Sequence, residues 1–190
     1  MHILIIADVY PPEISSVSHL TQELAQGFLK HNHQITVATP YPKHYLNTEA
    51  KNKFFEAVSI EDGIKVIRIK ILPHHKVNYI IRGISQLTLP FLFFRKIKKY
   101  VKDKVDAVII SSPPLPLALV GIKVKRHYGA KFILLIQDIF PQNAVDIGVL
   151  RNKFLIKFFE WMERRIYKGA DKITFHSEGG RQFLINKKRV

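Results

Sequence analysis

The sequence contains no cysteine. A disulfide framework and a thiolate metal site are therefore excluded, and the composition suits a reducing compartment. Acidic residues are scarce: 15 Asp and Glu stand against 30 Lys and Arg, for a formal net charge of +15. Long apolar runs are missing too. The longest, ISQLTLPFLFF at positions 84–94, contains Pro90 and falls short of the roughly 20 residues a helix needs to cross a bilayer. MHILIIADVYPP lacks a basic leading segment and ends its apolar run at Asp8, so it reads as a strand and not as a secretory leader. There is no Gly-x-Gly-x-x-Gly, no Walker-type lysine loop and no Asp-x-Asp. The dinucleotide and P-loop fingerprints are thus absent, and so is a common carboxylate pair for a divalent ion.

What remains is globular. Over 190 residues, 47% are hydrophobic and 24% charged, which fits one domain with a substantial core. The excess of cations favours polyanionic partners, meaning nucleic acid, an anionic membrane face or phosphorylated ligands. Solvated faces in a basic proteome give the same count. His31-x-His33 and His74-His75 fall in apparent loops without carboxylates at ligand spacing, and read as solvated histidines.

Along the chain, short β-branched runs alternate with helical periodicity. HILIIAD predicts a buried strand. Val17, Leu20, Leu24 and Phe28 recur at helical spacing, with Ser15 or Ser16 placed to cap the start and Asn32 suited to a left-handed end. QITVAT predicts a second strand, and residues 40–55 read as irregular. AVSIEDGIKVIRIKI predicts a hairpin turning at Asp62-Gly63. Residues 78–104 read as helical with a break at Pro90. VDAVIIS and AKFILLIQ predict strands separated by a helix that opens at PPLP and closes at Gly129. A helix over about 151–168, the strand ADKITFHS and a helix from near Glu178 complete the series. Repeated strand–helix units predict a Rossmann-like, doubly wound α/β fold with a mainly parallel sheet and helices on both faces. No interdomain linker is visible, and the ending at NKKRV predicts half of a larger architecture.

In such sheets ligands bind beyond the carboxyl ends of the strands, which directs attention to four loops. The first, Asp8 with YPPEISS, offers hydroxyls and backbone amides to an anion, or Ser15-Ser16 simply caps a helix. SSPPLP, with Ser112 and Pro114, reads equally as a structural strand-to-helix turn. His176 is a catalytic candidate or a polar strand-end residue. Asp138, in LLIQDIFPQNAV, is the sharpest candidate. A carboxylate held at a strand end before Phe140-Pro141 and partly desolvated suits general-base work or a sugar hydroxyl, whereas a lone Asp suits an Asx turn.

Two basic segments stand apart from these loops. NYIIRGISQLTLPFLFFRKIKKYVKDK sets apolar residues before Arg95, Lys96, Lys98 and Lys99, and LRNKFLIKFFEWMERRIYKG interleaves aromatics with cations. Both fit interfacial helices that grip anionic lipid, and both fit ordinary helices with one core face. No nucleic-acid recognition module is evident.

Taken in order, DVYPPEISS, KHNHQITVAT, EDGIKVIRI, SSPPLPLAL, IQDIFPQNAVDIGVL and FEWMERRIYKGADKITFHSEG resemble the N-terminal half of GT-B bacterial glycosyltransferases of family 4, in the branch that builds surface polysaccharides. The resemblance covers essentially the whole chain. It implies one of two Rossmann-like domains facing across a cleft, this one on the acceptor side and the absent C-terminal domain holding most of the nucleotide sugar. It further implies transfer with retention, without a metal or other cofactor, to acceptors that are often polyprenyl-linked, by an enzyme peripheral on the cytoplasmic face of the membrane. Carried over, Glu13, Ser15 and Ser16 lie near the donor phosphates and acceptor, Asp138 lies near the transferring sugar, and Ser112 and Pro114 line the acceptor side. Two departures are plain: Ser15-Ser16 stands where the family often has Gly-Gly or Gly-Ala, and the paired-glutamate motif of the C-terminal domain is missing. The chain alone is therefore expected to be inactive. The competing reading is a non-catalytic basic module that docks on anionic membrane or a partner subunit.

Overall fold

β-Branched runs too short to stand alone must share hydrogen bonds with neighbours, and here they do so in one layer. The computed structural model describes residues 1–43, 46, 48–73 and 77–188. Among these, seven strands form one sheet: β1 (His2–Ile6), β2 (Gln34–Pro40), β3 (Val58–Glu61), β4 (Ile64–Ile69), β5 (Ala107–Ser112), β6 (Lys131–Ile136) and β7 (Lys172–Phe175). Their order is β3-β4-β2-β1-β5-β6-β7. Every pair is parallel except β3 with β4. The chain winds outward from β1 through β2 to β4, then returns to β5 on the other side of β1. That reversal is the switch point of a Rossmann-like sheet, as expected.

The long helices are α1 (Ser16–Lys30), α3 (Tyr79–Tyr100), α4 (Leu119–Tyr128) and α6 (Lys153–Gly169); α2 (Thr48–Lys51), α5 (Gln142–Asp146) and α7 (Glu178–Phe183) are short. Alternation along each strand divides the core in two. Leu4, Ile6, Val108, Ile110, Phe132 and Leu134 meet Leu89, Phe93 and Ile97 of α3, Val120 and Val124 of α4, and Met162 and Ile166 of α6. On the other face Ile3, Ile5, Ile35, Val37 and Val66 pack with Tyr10 and with Ala25 of α1. Gly121 lets α4 sit close to the sheet, since a Cβ there would come within 2.3 Å of the Phe132 ring.

The hairpin at Asp62-Gly63 is present, with both residues at positive φ. Asn32 is left-handed just past α1, and Gly129 caps α4 in the same conformation. Other expectations are corrected. The buried face of α1 is Ser18, Thr21 and Ala25, while Leu20 is 56% exposed. Small residues let the helix lie close to the strands, and the larger ones flank the contact. No break occurs at Pro90: α3 runs through it, carried by the buried line Ser85, Leu89, Phe93 and Ile97. The helix expected to open at PPLP opens instead as a 3-10 turn, Leu115–Ala118, which leads into α4. His74-His75 lies outside the described residues.

Candidate functional site

Because β1, β5, β6 and β7 are parallel neighbours, their carboxyl ends open on one edge. Register fixes the spacing: Ile6 pairs with Ile110, Ser112 with Ile136, and Ile136 with Phe175. Asp8, Ser112, Asp138 and His176 therefore leave the sheet from consecutive strands. β1 and β6 flank β5 and stand two strand spacings apart, roughly 10 Å. The backbone amide of Gln137 donates to the Ser112 carbonyl at 2.9 Å, extending the β5–β6 pairing past the last strand residue.

The loop after β1 is held by a buried arginine. Arg68 of β4 is 1% exposed, and its Nη2 donates to the Pro11 carbonyl at 2.9 Å and to the Glu61 carboxylate at 3.0 Å. Its guanidinium lies 4.8 Å from the centre of the Phe55 ring. Nε and Nη1 are buried without a hydrogen-bond partner among the described residues, so the Phe55 ring and Glu61 carry much of the cost of burying the charge. Tyr10 packs beside this pair; burial, reinforced by the Glu61 carboxylate, pushes its hydroxyl up to about 12. Sequence reading missed Arg68. Its signal was there: Ile64, Val66 and Arg68 alternate onto one buried face of β4.

Glu13 is buried, and its carboxylate accepts from the backbone amide of Lys43 at 3.0 Å. It braces the loops after β1 and β2 against each other and does not stand open at the rim. Lys43, unnoticed in the sequence, completes this brace; its loop offered no periodic signal. Ser15 caps α1, accepting from the Ser18 amide at 3.1 Å, while Ser16 is exposed at the first turn. Because α1 follows the carboxyl end of β1, its first turn lies on the rim side, where the amides of Ser16 and Val17 remain outside the cap.

Ser112 and Pro114 are both buried, so neither lines an open surface; Pro113 between them is the exposed residue. Pro114 precedes the 3-10 turn, and apolar packing of that turn draws it inward. Asp138 is exposed, which corrects the expected desolvation. The Phe140-Pro141 pair turns into the protein instead: Phe140 meets Phe159 edge-on at 5.0 Å, and Pro141 is buried. His176 is exposed and stacks on Phe175 at 5.0 Å. Arg95, Lys98 and Lys99 are exposed and Lys96 half-buried, but all four lie at the far end of α3. Lys65, at the start of β4, donates to the Tyr100 carbonyl at 2.8 Å, which places that end at the opposite sheet edge. The structure thus gathers the four loops and leaves the α3 cations apart. Among the described residues no three His, Asp or Glu side chains group to hold a metal ion, and no helix is long and apolar enough to cross a membrane.

Comparison with known proteins follows the same outline. Residues 17–190 match the family described as glycosyl transferase 4-like domain. The probable glycosyltransferase WbjE of Pseudomonas aeruginosa is 29% identical over 105 residues, or 53% of this chain and 25% of that protein. Sucrose-phosphate synthase from Thermosynechococcus elongatus superposes with a TM-score of 0.68 at 13% identity, covering 98% of this chain and 45% of its own. UGT2 of Phytolacca americana gives 0.56 at 10% identity, covering 98% and 49%. The chain spans a quarter of the curated relative and less than half of either solved structure, with which it shares the fold.

Proposed function

This chain belongs to the glycosyl transferase 4-like domain family, and from that membership we propose that it forms the acceptor-side half of a glycosyltransferase. The enzyme would move a sugar from a nucleotide sugar to a glycan acceptor, lipid-linked, in cell-surface polysaccharide synthesis. A second Rossmann-like lobe, in the same or a separate chain, supplies most of the nucleotide-sugar site. The observation that supports this reading is the single rim, where the loops that carry Asp8, Ser112, Asp138 and His176 leave four adjacent parallel strands on the same edge as the loop leading into α1. The partial coverage of its relatives supports a partner lobe.

In this reading the exposed Asp138 carboxylate accepts a hydrogen bond from the reacting sugar's hydroxyl or takes its proton. Closure of the facing lobe excludes water around it. The first-turn amides of α1 and the Ser16 hydroxyl receive a donor phosphate, Pro113 and the turn after it shape the acceptor side, and His176 contacts substrate at the β7 end. Glu13 and Arg68 hold the first loop in place. Transfer is with retention and needs no metal, in keeping with the lack of Asp-x-Asp. The test is turnover of a radiolabelled nucleotide sugar. The 190-residue chain alone should give none, and adding the C-terminal lobe should restore it. Asp138→Asn in the two-lobe enzyme should lower kcat by about 10²–10⁴. Turnover by the isolated chain, or near-normal kcat in Asp138→Asn, would remove the respective assignment.

A second reading, docking of a basic module on the cytoplasmic face of an anionic membrane, draws on one line of α3. Ile84, Leu87, Phe91, Arg95 and Lys98 share that line and are exposed. Charge reversal at Lys96, Lys98 and Lys99 should weaken liposome sedimentation, and unchanged binding would eliminate α3 as the contact.

A further inference from the structure

The α4–α6 side of the molecule carries a second basic surface with a shape of its own. Between these helices lies a groove of about 460 Å³, within the size range of small-ligand sites. Arg126 of α4 and Arg164, Arg165 and Lys168 of α6 line it, together with Trp161 and Ile122. No carboxylate lines it, and none of the four cations forms an ion pair among the described residues. The nearby acids are engaged elsewhere: Glu163 is buried against Tyr167 and Lys188, and Asp171 holds Lys125 and the Phe132 amide. Glu160 sits one turn before Arg164 without pairing to it. The Arg165 guanidinium is already placed over the Trp161 ring at 5.6 Å.

The outer face of α6 is not the charged face an ordinary surface helix presents. Phe154, Phe158 and Trp161 follow one line into Arg165, and all four are exposed, Phe154 by 86%. The core line is Met162, Ile166 and Tyr167 on the opposite side. The aromatic half lies toward the rim, because α6 starts from the β6 end of the sheet, and the cationic half lies away from it. Arginine forks match phosphate oxygens in pairs, and tryptophan prefers the headgroup level of a bilayer. We propose that the α4–α6 groove binds the phosphate headgroup of an anionic phospholipid while Phe154 and Phe158 enter the acyl boundary. Duplex nucleic acid would satisfy the cations but leave the aromatic line in water, which favours the lipid. The proposal builds on the membrane component of the proposed function but moves the principal contact from α3 to α4 and α6. It also brings the rim, and with it any lipid-linked acceptor, to the bilayer surface.

Sedimentation of the chain with vesicles of phosphatidylcholine, alone or mixed equally with phosphatidylglycerol, tests this. The chain should bind the mixed vesicles and not the zwitterionic ones. Combined Arg126→Gln, Arg164→Gln, Arg165→Gln and Lys168→Gln should weaken binding by about a thousandfold at low salt, with an unchanged melting temperature because all four are exposed. Phe158→Ser with Trp161→Ser should weaken it by about tenfold or more, and Lys96→Gln, Lys98→Gln and Lys99→Gln by less than the groove variant. Binding of the groove variant equal to the parent's, equal affinity for phosphatidylcholine, or tighter binding to a duplex oligonucleotide that the groove variant loses would each overturn the proposal. Turnover on a detergent-solubilised acceptor reads the catalytic proposal separately, and its failure leaves the vesicle result standing.

Discussion

Arg68 and Glu61 face each other across the β3–β4 hairpin with guanidinium and carboxylate 3.0 Å apart, and the same arginine nitrogen holds the carbonyl of Pro11. A charge buried to 1% exposure thereby joins the outer edge of the sheet to the loop that leads into α1. Without it, Glu61 and Pro11 lose their common partner and Tyr10 loses a neighbour in the second core.

Arg68→Met should therefore destabilise the protein toward the lower end of about 3–5 kcal/mol, because Glu61 retains partial access to water. Urea unfolding gives the figure, and amide exchange should quicken across residues 9–15. The double variant Arg68→Met with Glu61→Gln should be less destabilised than the sum of the two single changes. Additive losses would show that the two side chains act independently.

Asp171 closes the junction between α6 and β7. Its carboxylate accepts from the Phe132 amide at 2.8 Å and meets the Lys125 ammonium at 2.9 Å. These contacts, the amide first, hold the carboxyl below its ordinary range. A depressed folded-state pKa stabilises above the unfolded value, and that contribution disappears as pH falls through the folded value. Asp171→Asn should cost stability at neutral pH, and the gap from the parent should narrow below about pH 4. A gap independent of pH would assign the effect to packing.

The tight seat of α4 on β6 gives a steric prediction. Gly121→Ala brings a methyl within 2.3 Å of the Phe132 ring, so it should cost about 1–3 kcal/mol despite alanine's better helix propensity. Phe132→Leu in the same chain should recover part of the loss, as read from thermal melts.

Glu163 and Lys188 form a further buried pair at 2.8 Å, with Tyr167 donating to the same carboxylate at 3.0 Å. Burial, then Glu163, pushes the Tyr167 hydroxyl up. Lys188→Met should strip the carboxylate of its counterion and cost about 3–5 kcal/mol, whereas Glu163→Leu with Lys188→Met should lie much closer to the parent. Equal losses in the two proteins would contradict the pairing.

Local chemistry made much of the fold legible. β-Branched runs marked the strands, and Asp62-Gly63, Asn32 and Gly129 marked chain reversals, because each rests on a few adjacent residues. Tertiary packing decided the rest. Leu20 looks like a core residue by spacing alone, but close approach of α1 to the sheet favoured Ser18, Thr21 and Ala25. Pro90 breaks a helix in isolation and not one pinned by Leu89, Phe93 and Ile97. At the candidate site, strand ends were readable but exposure was not. Nothing in IQDIFPQ says that Phe140 and Pro141 turn inward while Asp138 turns out. Glu13 was placed near the ligand by the resemblance alone, and its burial and bond to the Lys43 amide, thirty positions away, left no mark in the local sequence.

The hydrogen bond from the Gln137 amide to the Ser112 carbonyl has a mechanical consequence. It clamps two exits from the sheet into one lever, so whatever displaces the SSPPLP turn also swings the base of the segment bearing Asp138. In the enzyme proposed above, an acceptor that presses on that turn would therefore also re-aim the carboxylate.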